Sequence, residues 1–146
     1  LELIISNNQN DSGHFIHSFL YPSPRIKESI LIAKYASAMI DISDGFYCDL
    51  RKISSELNKG FKVDVLTLPI EPNLIEKTSK DRAINLALTG GDDYELCCTI
   101  PEGNEEALKK ISESCNVNIT RIGVVRESLG LQIEGFDGPR KSYQHF

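Results

Sequence analysis

A chain of 146 residues is long enough for one domain with a real core and a flanking segment. Its 21 acidic and 16 basic residues leave a net charge of −5, which argues against a nucleic-acid-binding surface and against an anionic membrane as partner. At 40% hydrophobic residues the composition suits a soluble globular protein, and neither a membrane span nor a signal segment is expected.

The chain begins at Leu1 rather than Met, so a piece of something longer is expected. Residues 1–20 open on an apolar run, Leu1 to Ile5, followed by a polar break from Asn7 to Gly13. His14 to Leu20 has the spacing of a short helix, with Phe15, Ile16 and Phe19 on one side. His14 and His17 would share a face, but two histidines make a poor metal site and a solvated pair is the plainer reading. Pro22 and Pro24 force an extended path and mark a boundary.

Lys27 to Tyr35 reads as a helix with Ile30, Ala33 and Ala36 on its stripe. The run Ala38-Met39-Ile40-Asp41-Ile42 then reads as a buried strand, and Ser43-Asp44-Gly45 as a tight turn opening a helix. Two carboxylates and a hydroxyl stand at the strand's C-terminal end, where ligands tend to bind in layered α/β structures. Asp41 and Asp44 can share a hard cation such as Mg2+, which takes oxygen ligands and keeps several waters. Ser43 can offer its hydroxyl to a phosphate near the amides of a new helix. The same residues equally suit a plain strand end and a helix cap.

The following helix carries Phe46, Leu50, Ile53 and Leu57 as a one-sided stripe, with Gly60 as its expected cap. Asp49 reads as lying off that stripe, as a solvated acid or as a third acid near the turn. Lys62 to Leu66 alternates like a strand, and Pro69 and Pro72 make an irregular stretch. A helix follows over about Asp81 to Leu88, ended by Gly90 and Gly91.

Gly90-Gly91-Asp92-Asp93-Tyr94-Glu95-Leu96 is a second acidic turn, leading into a strand through Ile100. The glycines allow a sharp bend and close approach to a ligand. Alone it reads as a helix-to-strand turn with solvated acids; beside the first turn it supports one shared site. Asn104 is placed as the cap of a helix with Ala107, Leu108, Ile111 and Cys115 on one face. Ile119 to Val125 and Gly130 to Glu134 read as strands, and Gly135, Gly138 and Pro139 as the last turn.

Cys48, Cys97, Cys98 and Cys115 contain no C-x-x-C pair, so four free thiols in a reducing cytoplasm are expected. There is no GxSxG, no GxxxxGK[ST] and no GxGxxG motif, which leaves acyl transfer unsupported and phosphate chemistry through metal-binding acids open.

Taken together, Pro22-Ser23-Pro24-Arg25, Met39-Ile40-Asp41-Ile42-Ser43-Asp44-Gly45, Asp49-Leu50, Gly90-Gly91-Asp92-Asp93-Tyr94-Glu95-Leu96, Ile122-Gly123 and His145-Phe146 stand in the order and at about the spacing of one family. From about Phe15 onward the chain resembles the C-terminal half of the thiamine-monophosphate kinases, within the aminoimidazole-ribonucleotide-synthetase-like superfamily. The pairing of D-x-S-D-G with G-G-x-D-Y-E-L is the specific part.

The resemblance implies an α+β fold, a layered mixed β-sheet with helices. It places the end of an N-terminal domain or a connecting segment at residues 1–20, and a C-terminal substrate- and metal-binding domain at 21–146. It implies transfer of a phosphoryl group from ATP to thiamine monophosphate with Mg2+, giving thiamine diphosphate. Asp41 and Asp44 would then bind Mg2+, Ser43 would contact ATP, and Asp92 and Tyr143 would contact the thiamine substrate. No covalent enzyme intermediate is implied. The family's N-terminal domain supplies most of the nucleotide and metal ligands and forms a homodimer, so this stretch alone is expected to carry half a site and to be inactive. Departures are Asp92 where the family has Glu, Phe46 where it has Leu, and Tyr143 where Trp is common; a shift in substrate fit is the expected consequence. The alternatives are a sister ATP-using synthetase of the selenophosphate or purine type, and a non-catalytic binding domain.

Overall fold

The computed structural model describes residues 13–137. Helix α1 (Gly13–Leu20) forms over the predicted segment, and the two prolines leave an extended link to α2 (Ile26–Ile32). Helix α2 stops three residues earlier than predicted, and its buried face is not the predicted one. Ile32 is buried while Ile30 is 63% exposed, and α2 packs on the later helix α6 (Glu105–Cys115).

Strand β1 (Ala38–Asp41) leads through the 42–45 turn into α3 (Phe46–Leu57). The apolar spacing of α3 buries Phe46, Leu50 and Ile53, each worth about 1.5–3 kcal/mol for a full side chain removed from water. The helix ends at Asn58, in the left-handed conformation with φ 50°, and not at Gly60. Gly60 instead opens strand β2 (Gly60–Asp64), which a short 3-10 helix, Val65–Thr67, terminates.

The proline-containing stretch predicted to be irregular holds a helix, α4 (Pro72–Lys77). Pro72 sits in its first turn, where a missing N–H costs nothing. Helix α5 (Lys80–Thr89) follows, capped by the Ser79 hydroxyl accepting the Arg82 N–H, and buries Ala83, Ile84 and Leu88 as the spacing requires. Strand β3 (Leu96–Thr99), helix α6, strand β4 (Gly123–Arg126) and strand β5 (Gly130–Glu134) complete the order. The Asn104 side chain does not cap α6; its amide donates to the Pro101 carbonyl.

The strands form two sheets. β1 and β3 pair antiparallel, with Ile40 opposite Cys97 and Asp41 opposite Leu96. β2 lies between β4, antiparallel, and β5, parallel. The core gathers Phe46, Leu50 and Ile53 of α3, Ile84 and Leu88 of α5, Phe61, Val63 and Ile133 of the three-stranded sheet, and Val65 of the short 3-10 helix. Ala38, Ile40 and Cys97 pack against its margin. The fold is therefore α+β with a mixed sheet, as expected, and α3 joins the core to the two-stranded sheet whose end carries both acidic turns.

Phe46 is buried in this core, so its departure from the family's leucine is a packing substitution and does not face a ligand. The cysteines among the described residues are free thiols. Burial, reinforced by Cys98 and Asp49, pushes the Cys97 thiol up to about 11, and burial raises Cys98 also, so both behave as packed apolar groups.

Candidate functional site

The two acidic turns meet. Beyond the last rungs of the β1–β3 ladder, Ile42 N–H donates to the Glu95 carbonyl at 2.8 Å and Tyr94 N–H donates to the Ile42 carbonyl at 2.8 Å. Asp92 N–H then donates to the Ser43 carbonyl at 2.9 Å. The two segments can approach this closely because Gly91 has no Cβ; one there would stand 2.6 Å from the Ser43 carbonyl oxygen. Asp41, Ser43, Asp44 and Asp92 thus lie around one end of the small sheet. Tyr143 lies outside the described residues, as do His145 and Phe146.

Asp49 corrects the sequence reading. It is 1% exposed and is not a solvated acid. It lies three residues after Phe46 and four before Ile53, on the inner face of α3. One carboxylate oxygen, Oδ2, accepts the Ser43 N–H at 2.9 Å and the Asp44 N–H at 3.0 Å. The other, Oδ1, accepts the Lys52 ammonium at 2.6 Å, and Lys52 also pairs with Asp44. These two carboxylates raise the Lys52 pKa above its ordinary value, Asp44 contributing most. The amides of Ser43 and Asp44 are therefore committed inward, which leaves the Ser43 hydroxyl as that residue's donor toward a ligand. Among the described residues this hydroxyl has no hydrogen-bond partner.

The second turn is strained. Asp92 has φ 64° and Tyr94 φ 53°, and for a bulky residue such as tyrosine that conformation is costly and held only by its surroundings. The Tyr94 hydroxyl donates to Asp92 Oδ1 at 3.2 Å. Its pKa is raised, first by that bond and the Asp92 charge, with Asp41 adding to it. Glu95, at the turn's far end, is gripped through both oxygens by Arg25: Nη2 lies 2.6 Å from Oε1 and Nε 3.0 Å from Oε2. The resemblance singled out Arg25 and Glu95 as motif residues; their pairing was not predicted, because they lie 70 positions apart.

Asp93 keeps solvent-exposed surface, but protein atoms crowd its carboxyl. That crowding, then the charges of Glu95 and Asp92, pushes its pKa up to about 6 from the ordinary 3.8. A raised carboxyl contributes stability fully below about 3.8, and the contribution is lost as the pH rises through about 6. Asp93→Asn is therefore expected to raise Tm at pH 8 by roughly 1–3 °C, after discounting for solvent screening, and to match the parent near pH 4. Thermal unfolding across that range checks it, and a gain that does not depend on pH would contradict the charge argument.

Carboxylate and hydroxyl oxygens are the donors a hard cation prefers. The ammonium of Lys52 on Asp44 already stands in for positive charge at the first turn. Among the described residues no group of three or more acidic, histidine or cysteine side chains converges as a complete metal cage. The donor set fits a cation held by one or two carboxylates, with phosphate and water oxygens completing the shell.

Fold and turns together define a mixed α+β domain with paired acidic turns at the end of a two-stranded sheet. The chain belongs to the family described as AIR synthase related protein, C-terminal domain, which matches residues 6–135. It is 37% identical to a thiamine-monophosphate kinase of Buchnera aphidicola over 84% of this chain and 38% of that protein. It is 35% identical to that of Escherichia coli over 93% of this chain and 43% of that one. The solved structure of AaThiL complexed with AMPPCP and TMP superposes with a TM-score of 0.81 at 30% identity, over 99% of this chain and 46% of that one. The chain spans about two fifths of the length of the curated relatives it matches. No helix among the described residues is long and apolar enough to cross a membrane.

Proposed function

We propose that this chain is the C-terminal part of a thiamine-monophosphate kinase, which transfers the γ-phosphoryl group of ATP to thiamine monophosphate and yields thiamine diphosphate. The observation that supports this reading most is the likeness, over nearly the whole chain, to a structure holding an ATP analogue, AMPPCP, together with TMP. Residues 1–20 are assigned to the end of a preceding domain or its connection, and 21–146 to the substrate- and metal-binding domain. The complete protein is proposed to be a cytoplasmic homodimer whose preceding domain supplies the remaining nucleotide and metal ligands.

In this reading Asp41 and Asp44 hold Mg2+, and Ser43 donates its hydroxyl to ATP. Asp92 and Tyr143 contact the thiamine substrate. Bound Mg2+ supplies neutralisation of the phosphate charge. The chain's own contribution is position: Gly91 lets the second turn close on the first, and Tyr94 fixes the Asp92 carboxylate in a strained turn. Asp92 carries one methylene fewer than the glutamate common in the family, so its partner must sit closer to the β3 end of the sheet.

The test is phosphoryl transfer from ATP to thiamine monophosphate by the full-length protein with Mg2+. Thiamine diphosphate formation is the expected result. A folded, dimeric protein without turnover would sink the kinase reading and favour a sister synthetase of the selenophosphate or purine type, or a binding-only relative. Retained affinity for thiamine monophosphate would then identify the binding-only case.

A further inference from the structure

We infer that Asp49 is the positioning residue of this site: its buried carboxylate holds the Ser43–Asp44 turn in its ligand-facing shape and, through Lys52, orients Asp44. The inference deepens the kinase reading and, for its catalytic consequence, rests on it.

The need for such a residue follows from the local sequence. The N-cap of α3 is Gly45, with φ 104° and no side chain to accept an amide. The turn before it carries two N–H groups, of Ser43 and Asp44, that point into protein. Left without acceptors, each would carry the desolvation penalty of a buried, unpaired amide. One oxygen of Asp49 satisfies both, at 2.9 and 3.0 Å, from the first turn of the helix that the turn initiates. Bonding two successive amides with one oxygen fixes the peptide plane between Ser43 and Asp44. That plane sets where the Ser43 hydroxyl and the Asp44 carboxylate project.

The second oxygen is used as well. Oδ1 takes the Lys52 ammonium, and the same ammonium reaches Asp44. Asp49 itself is sealed from solvent, whereas Asp44 is only part-buried and Lys52 is half exposed. The charge order is thus a buried anion, a bridging cation and an accessible anion. A cation arriving at Asp44 meets a carboxylate whose direction is already set, and the ammonium can swing toward solvent while Asp49 keeps its amide bonds. An asparagine at position 49 would keep the shape but could not perform all three roles. Its single oxygen could serve the amides, while its NH2 would face the Lys52 ammonium as a donor against a donor.

The test uses the full-length protein, with Mg2+ and ATP varied independently. Asp49→Asn is expected to raise the half-saturating Mg2+ concentration about tenfold, while kcat at saturating Mg2+ falls less than threefold; one tenfold step corresponds to about 1.4 kcal/mol. Asp49→Glu, with a longer arm to the same amides, is expected to recover part of the loss. A folded Asp49→Asn protein with unchanged Mg2+ dependence overturns the inference. A second readout needs neither turnover nor a variant: amide hydrogen exchange in the parent protein. The N–H groups of Ser43 and Asp44 are expected to exchange at least 100-fold more slowly than an unprotected amide, a factor of about 2.7 kcal/mol. Rapid exchange at both positions in the folded protein overturns the inference even where Asp49→Asn fails to fold. If the parent forms no thiamine diphosphate, the kinase reading fails alone, and the exchange rates still decide the role of Asp49.

Discussion

Asp44→Asn is expected to lower kcat/KM of the full-length protein by about 10²–10³ while leaving the fold intact, the range found when one preorganised electrostatic partner of a transferring group is removed. The two expectations come from different properties of the same side chain. The carboxylate is part-buried and accessible at the end of the β1–β3 pair, and Lys52, with which it forms an ion pair, is half exposed. Such pairs contribute about 0–1 kcal/mol to folding, so Tm should move by no more than a few degrees. Lys52 also keeps its second partner, Asp49, when Asp44 is neutral. Activity has no such reserve. With Asp41 and Asp44 as the two carboxylates proposed to hold Mg2+, losing one halves the formal charge they present to the ion. Steady-state kinetics across a Mg2+ series, with thermal unfolding alongside, checks both halves. Full activity in a folded Asp44→Asn protein would remove Asp44 from the proposed metal set.

Much of this organisation can be read in the chain before any coordinates. The stripe of Phe46, Leu50 and Ile53 and the run into Asp41 set the helix and strand that carry the first turn; both form, but Leu57 at the end of the stripe is 38% exposed and the strand, expected to be buried, lies at the margin of the core with no fully buried residue. The two acidic turns read as one shared site from their composition, and the glycines as room for a ligand; the structure shows that Gly91 also makes room for the first turn, a contact that any larger residue would block. What stayed hidden involves partners distant in sequence or burial that polarity disguises. Asp49 looks like a surface acid because acids are seldom buried. Only its position, between Phe46 and Ile53 on the inner face and beside a side-chain-free N-cap, gives it away. The Arg25–Glu95 grip needs the β1–β3 pairing to bring its halves together. The buried side of α2 could not be chosen from periodicity, because both its faces carry isoleucine and the docking of α6 decides between them. Helix α4 is hidden in the sequence because Pro69 and Pro72 read as breakers, although proline at a helix start, as at Pro72, is a promoter.

Gly45→Ala is expected to be strongly destabilising, costing roughly 2–6 kcal/mol from about 1–3 of backbone strain and about 1–3 of overpacking. Gly45 stands at φ 104° and ψ 142°, a region open in practice to glycine alone. A Cβ there would also lie 2.9 Å from the Thr89 carbonyl oxygen and 3.0 Å from that of Gly90, both backbone atoms that cannot rotate away. The end of α5 is therefore wedged against the start of α3, and this wedge brings the Gly90–Asp92 segment onto the first turn. Gly103 provides the control. It has φ 88°, but nothing lies within 4 Å of a Cβ built on it. Gly103→Ala should show the strain without the clash, at about 1 kcal/mol. Urea unfolding of the two variants separates the contributions. A Gly45→Ala loss well beyond that of Gly103→Ala means that the junction of α3 and α5 is rigid and holds the paired turns in place. Equal losses would mean that the α5 end yields, and that the approach of the two acidic turns is set by the β1–β3 ladder alone.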